Sequence, residues 1–177
     1  MGCGVSGWRH MVRLADLARG PVSVTLAPDD ATRAAIAKEL GLVALPALQG
    51  RITARAWLDG AEISGRFTAT VEQICGVTLD PFESPLDGDF VVRAVPAGSP
   101  NAPAESEGGE VEMDLDAPDP PDVLTSDEID LAGYLVEHLA LDIDPFPRKP
   151  GADFDYQPDV AEESPFAVLK RFKDDGA

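Results

Sequence analysis

Cations, aromatics, histidines and cysteines are all scarce in this chain. Only 14 Lys/Arg stand against 32 Asp/Glu, for a net charge of -18 over 177 residues. A field of that sign repels phosphate backbones and argues against broad nonspecific binding of RNA or DNA. Aromatics make up 6% of the residues, so any core must be built mainly from aliphatic side chains. The histidines are His10 and His138, and the cysteines are Cys3 and Cys75. Two cysteines make no disulfide framework, and this set cannot supply the four ligands of a structural zinc site.

Catalytic patterns are equally thin. There is no H-E-x-x-H, and no Ser/His/Asp arrangement can be argued from two scattered histidines. His138, next to Leu139, reads as a packing residue. The many carboxylates lack the contrasting surroundings that separate a general acid from a base. "EVEMDLD" lacks EF-hand spacing. No apolar run approaches the ~20 residues that span a bilayer, and the N-terminus has no hydrophobic signal region. The expectation is a soluble, cytoplasmic protein that is not an enzyme and uses no metal and no cofactor.

"MGCGVSG" matches two motifs and satisfies neither. Gly2, Gly4 and Gly7 spell a dinucleotide fingerprint, but that motif needs a strand before it and a helix opening on it. Met1-Gly2 with Ser6 fits a myristoylation pattern, and Cys3 is equally an ordinary thiol beside it.

What is present is segregated charge. Residues 1–79 hold eight Lys/Arg and seven Asp/Glu, a net +1, whereas residues 80–177 hold six and 25, a net -19. From Ala94 to Pro147 there is neither Lys nor Arg. Such a back half suits a basic protein partner, or simply a solvated acidic surface.

Val22, Val24 and Leu26 alternate as a short strand. Asp29 or Asp30 then caps a helix that runs to Leu40 and stops at Gly41, where a left-handed residue is wanted. The clearest pattern follows in "ALQGRITARAWLDG". Leu48, Ile52, Ala54, Ala56 and Leu58 alternate with polar residues, and Asp59-Gly60 reads as a two-residue hairpin turn. Beyond it the apolar set moves to Ile63, Phe67, Ala69, Val71 and Cys75. A turn at 59–60 places Ile52 opposite Phe67 and Leu48 opposite Val71, with both apolar sets on one face. "GVTLDPFESPLDGD" reads as a bend before a third strand around Phe90, Val92 and Ala94.

Residues 96–122 read as an acidic Pro/Gly-rich linker, with a possible edge strand at Val111, Met113 and Leu115. The stretch has too little apolar surface to offset an ordering cost of ~1–2 kcal/mol per residue. "LTSDEIDLAGYLVEHLALDID" predicts a helix capped by Thr125 and Glu128. Its stripe is Leu131, Leu135 and Leu139, widened by Ala132, Val136, Ala140 and Ile143. Pro145 ends it, and Arg148 and Lys149 stand where cations offset a helix C-terminus. "ESPFAVLKRFK" predicts a short amphipathic helix with Ser164 as N-cap and Pro165 at its first position.

The expected fold is α+β: a curved antiparallel sheet or partial barrel with packed helices and an acidic disordered linker. The parts are a β-rich 1–95 with one helix, a linker 96–122, and a helical 123–177 that packs on the sheet, all in one domain.

"ICGVTLDPFESPLDGDFVVRAVP", "PDVLTSDEIDLAGYLVEHLALDIDPFPRKPGADF" and "ESPFAVLKRFK" closely resemble the YceD family, the large ribosomal RNA subunit accumulation proteins of bacteria and plastids. The "DPFPRKPGA" form resembles the alphaproteobacterial branch. The likeness covers essentially the whole chain, although the first third matches only in layout. It implies a part in large-subunit rRNA accumulation and large ribosomal subunit biogenesis, and it carries over no catalytic residue. Many relatives have C-x-x-C where this chain has Cys75-Gly76-Val77-Thr78, with further His/Cys near Arg148-Lys149. The loss of those positions here argues against a metal role.

The leading expectation is a non-enzymatic assembly factor whose partner is the large-subunit ribosomal precursor or a basic ribosomal or assembly protein, with Phe146, Arg148, Lys149 and Phe166 as its contact face. A plainer account is that these residues only pin the C-terminal tail to the body. The alternative function is direct rRNA binding by the Arg-bearing first half, through Arg51, Arg55 and Trp57, where the indole could stack a base.

Overall fold

A computed structural model describes residues 7–103 and 119–154. The elements run β1 (Met11–Arg13), α1 (Leu14–Leu17), β2 (Val22–Leu26), α2 (Asp30–Glu39), β3 (Ala44–Trp57), β4 (Gly60–Ile74), β5 (Pro81–Pro96), β6 (Asp122–Leu124), β7 (Glu128–Asp130) and α3 (Leu131–Asp142). The expected α+β class holds. The main sheet has the order β2-β3-β4-β5-β6 and is antiparallel except for β6, which joins β5 in parallel. It stays open and does not close into a barrel. A second, two-stranded sheet pairs β1 with β7.

Local chemistry explains α2. Asp29 accepts the Thr32 N–H at 2.8 Å, and Gly41 ends the helix at φ 69°. In α3 the outcome differs from the sequence expectation. Residues 128–130 are a strand, and the helix starts at Leu131 with Asp130 as its cap, accepting from Gly133 N–H at 3.2 Å. The same carboxylate also accepts the His10 N–H at 3.0 Å. Pairing with β1 therefore claims the turn of backbone that a Thr125/Glu128 capping box would have wound into helix. Leu131, Ala132, Leu135, Val136 and Leu139 are buried as their spacing predicts, but Ala140 faces solvent.

One face of the sheet carries Leu48, Ile52, Ala54, Ile63, Phe67, Ala69, Val71, Phe90 and Ala94, all in a single core with the α3 stripe and with Ile36 of α2. Two strand glycines make close packing possible. A Cβ on Gly50 would lie 2.7 Å from Leu135 Cδ1, and one on Gly65 would lie 2.4 Å from Phe90 Cζ. The Phe90 ring in turn stacks on His138 at 4.1 Å, so His138 has the packing role its position implied.

The hairpin places its apolar sets on one face, as predicted, but in a register two residues away. Ile52 faces Gly65 rather than Phe67, and Leu48 faces Ala69 rather than Val71. The turn is Leu58-Asp59, with Leu58 at φ 51° and 64% exposed. Gly60 is needed for space, because a Cβ there would lie 2.0 Å from the Ala94 carbonyl oxygen. The bend before the third strand is also shorter than expected, since β5 begins at Pro81 and pairs with Ile74 at once.

Candidate interaction surfaces

Two surfaces gather the residues singled out by the sequence. The first is the Pro-Phe-Pro turn after α3. Asp144 Oδ1 accepts the Phe146 N–H at 2.8 Å, which closes the turn on itself. Three further bonds fasten it to the end of β4 and the following loop. Gln73 Nε2 donates to Asp144 O at 2.9 Å, Gly76 N–H donates to Pro147 O at 2.9 Å, and Lys149 N–H donates to Cys75 Sγ at 3.4 Å. Lys149 Nζ lies 4.0 Å from Asp80, so it turns toward that loop rather than toward the helix end.

Cys75 is the hub of this junction. Its buried sulfur also accepts the N–H groups of Val77 and Thr78, each at 3.4 Å. Hydrogen bonding from Thr78, then from the Lys149 N–H, holds the thiol down to about 6, because these donors favour the thiolate. The structure thus brings together Cys75, Thr78 and Lys149, the positions at which the family likeness placed a possible metal site in relatives. Among the described residues no group of three or more His, Cys, Asp or Glu is placed to hold a metal ion.

Apolar side chains stand out from this pinned base. Phe146 is 81% exposed, and Leu79, in the fastened loop at φ 60°, is 74% exposed. Ile74, Leu141 and Phe154 are exposed as well. Asp80, Asp142, Asp144 and Asp153, in the same stretches of chain, are exposed too. Phe166, the fourth expected contact residue, and the helix expected from Ser164 lie outside the described residues, as does the possible strand at Val111, Met113 and Leu115.

The second surface is the polar face of the main sheet. Arg55, Glu62 and Arg93 form one cross-strand row. Glu62 is only 8% exposed, and both of its oxygens are taken. Arg55 Nε donates to Oε1 at 2.9 Å and its Nη2 donates to the same oxygen, while Arg93 Nε reaches Oε2 at 3.3 Å. Hydrogen bonding from Arg55 holds this carboxyl below its usual range. The Arg93 guanidinium also lies 5.0 Å over the Trp57 ring. Two of the three residues expected to contact RNA, Arg55 and Trp57, are therefore engaged within the molecule.

Arg51 is not. It sits in the row Thr25, Arg51, Arg66, Asp89, directly opposite Arg66. Neither arginine makes an ion pair within 4.0 Å among the described residues. Arg66 could not be assigned from the sequence because the register expected there sets Arg51 against Thr68. A shift of two residues keeps every side chain on its face but changes every neighbour.

Together these features define a small α+β protein with a covered sheet, one open polar face and a pinned apolar turn at its edge. Comparison with known families then places it. Residues 63–173 match the YceD family, described as large ribosomal RNA subunit accumulation protein YceD, and the chain belongs to that family. Comparison with curated proteins and with solved structures gives no match. The family description supports a role in large-subunit rRNA accumulation. No helix among the described residues is long and apolar enough to cross a membrane.

Proposed function

We infer that this chain supports large-subunit (23S) rRNA accumulation as a non-enzymatic assembly factor in the cytoplasm, by docking a basic ribosomal or assembly protein on the Pro-Phe-Pro turn. One observation carries the reading: Phe146 is 81% exposed on a turn held by backbone and side-chain hydrogen bonds. An aromatic on a fixed base loses little conformational freedom when it is buried by a partner, which is what makes such residues anchors. The surrounding carboxylates favour a cationic partner and speed its encounter. Arg148 and Lys149 supply the local exception that orients it.

The test is a pull-down from cell extract, with and without ribonuclease, using the full chain and its Phe146→Ala, Arg148→Ala, Lys149→Ala triple variant. The reading expects an RNase-resistant basic protein that the variant loses while keeping its melting temperature. A lower melting temperature with the partner retained would instead leave these residues as a clasp for the C-terminal segment.

A further inference from the structure

We propose that the open sheet face carries a phosphate-binding site centred on Arg51 and Arg66, and that its occupant is the backbone of a single-stranded RNA. This surface is distinct from the docking turn, and the inference rests on the family's rRNA-accumulation role only for the choice of polymer.

The geometry is that of an unfinished electrostatic unit. Arg51 and Arg66 are direct cross-strand neighbours, so their Cβ atoms lie about 5 Å apart. Like charges so placed repel, and no carboxylate within 4.0 Å relieves them among the described residues. The contrast with Arg55 and Arg93, both satisfied by Glu62 on the same face, shows that this sheet can neutralise an arginine when a glutamate stands opposite. A phosphate between the two guanidiniums would remove the repulsion, and arginine binds phosphate through paired N–H donors.

The surroundings add neutral donors. Thr25, Gln49 and Thr68 line the same shallow trough of ≈ 630 Å³ over the sheet, whereas Thr53 and Ser64, also in its lining, are hydrogen-bonded to Ser23 and to the Thr53 carbonyl. One carboxylate, Asp89, also lines it, opposite Arg66 in the row. Asp87 stands opposite Thr68 in the next row of the same face and is exposed, so the surplus is at most one positive charge, which predicts weak binding. Its only aromatics, Phe67 and Phe90, are buried beneath the face and unavailable for base stacking. Binding should therefore read phosphate and be indifferent to base sequence. The acidity of the rest of the chain does not exclude this, since exposed charges are screened beyond about 8 Å at physiological salt.

Fluorescence anisotropy with a labelled single-stranded RNA of about 12 nucleotides and the full chain tests the proposal. Binding should weaken about two- to threefold between about 50 and 200 mM salt, as neutralising one phosphate of a single strand requires. Arg51→Gln with Arg66→Gln should weaken it at least about tenfold. Asp89→Asn should tighten it about threefold. The melting temperature of the double variant should hold or rise, because a repulsion is removed. Arg148→Gln, in the docking turn, should leave RNA binding unchanged, which separates failure of this site from failure of the docking reading. The proposal is overturned if the wild-type chain does not bind the RNA at low salt, if the double variant binds as well as wild type, or if polyglutamate displaces the RNA and binds more tightly than it does.

Discussion

Arg51 and Arg55 stand four residues apart on the same face of β3, yet they have opposite fates. Arg55 meets Glu62 across the hairpin, and Arg93 completes a clamp around a nearly buried carboxylate. Arg51 meets Arg66 and gains nothing from it. Residue type therefore does not say whether an arginine is structural or available. The cross-strand neighbour says it, and that neighbour depends on register.

The largest way to break the comparison is to break the register. Gly60→Ala puts a Cβ 2.0 Å from the backbone oxygen of Ala94, which has no side-chain freedom to yield. Overpacking against rigid backbone should cost about 3 kcal/mol, read by denaturant unfolding, and should loosen both arginine rows together. An unchanged midpoint would mean that the register does not depend on this contact.

Glu62→Gln comes next. It strands two arginines on one row and should cost roughly 1–2 kcal/mol at neutral pH, discounted because both guanidiniums are solvated. The pH dependence has a definite sign. A carboxyl held below its ordinary value stabilises fully above about 4.3, and the contribution disappears as pH falls through the lowered value. Wild type and variant should therefore converge in acid, and a gap that persists there would assign the loss to packing.

Arg51→Thr should do the reverse two rows along the same face, since Arg51 stands between Thr25 and Arg66. Removing one of two opposed like charges, and adding a β-branched residue to a strand, should stabilise by roughly 0.5 kcal/mol. A comparable loss would show that Arg51 has a partner within the chain.

The remaining effect contrasts the sheet with the turn. The Cys75 thiol is held down to about 6, so its contribution is complete above about 8.5, falls as pH drops, and is gone below about 6. Cys75→Ser should remove that slope between about pH 9 and pH 6 in a melting series. A parallel pair of curves would mean the thiol stays protonated.

Much of the fold was legible. The Asp29 cap, the Gly41 stop and the α3 stripe follow from side chains within a few residues of each other. The start of α3 was not legible, because β1 lies more than a hundred residues upstream and its pairing at Glu128–Asp130 outbids a local capping box. Of the expected site residues, Phe146, Arg148 and Lys149 do stand exposed on the turn. Arg55 and Trp57 are engaged elsewhere, and Arg66 emerged only with the observed strand pairing.

The amino-acid order by itself determined which side chains share a face, where α2 begins and ends, and how the charge is divided between the two halves. These are local properties: a period of two survives any even slip of one strand past another. Only the tertiary structure decided which residues face each other. The Leu58-Asp59 turn is held by Asn101 donating to Asp59 at 2.9 Å, and Gly60 is pressed against Ala94. Both contacts come from distant chain, and they select one register among several that hydrophobic alternation allows equally.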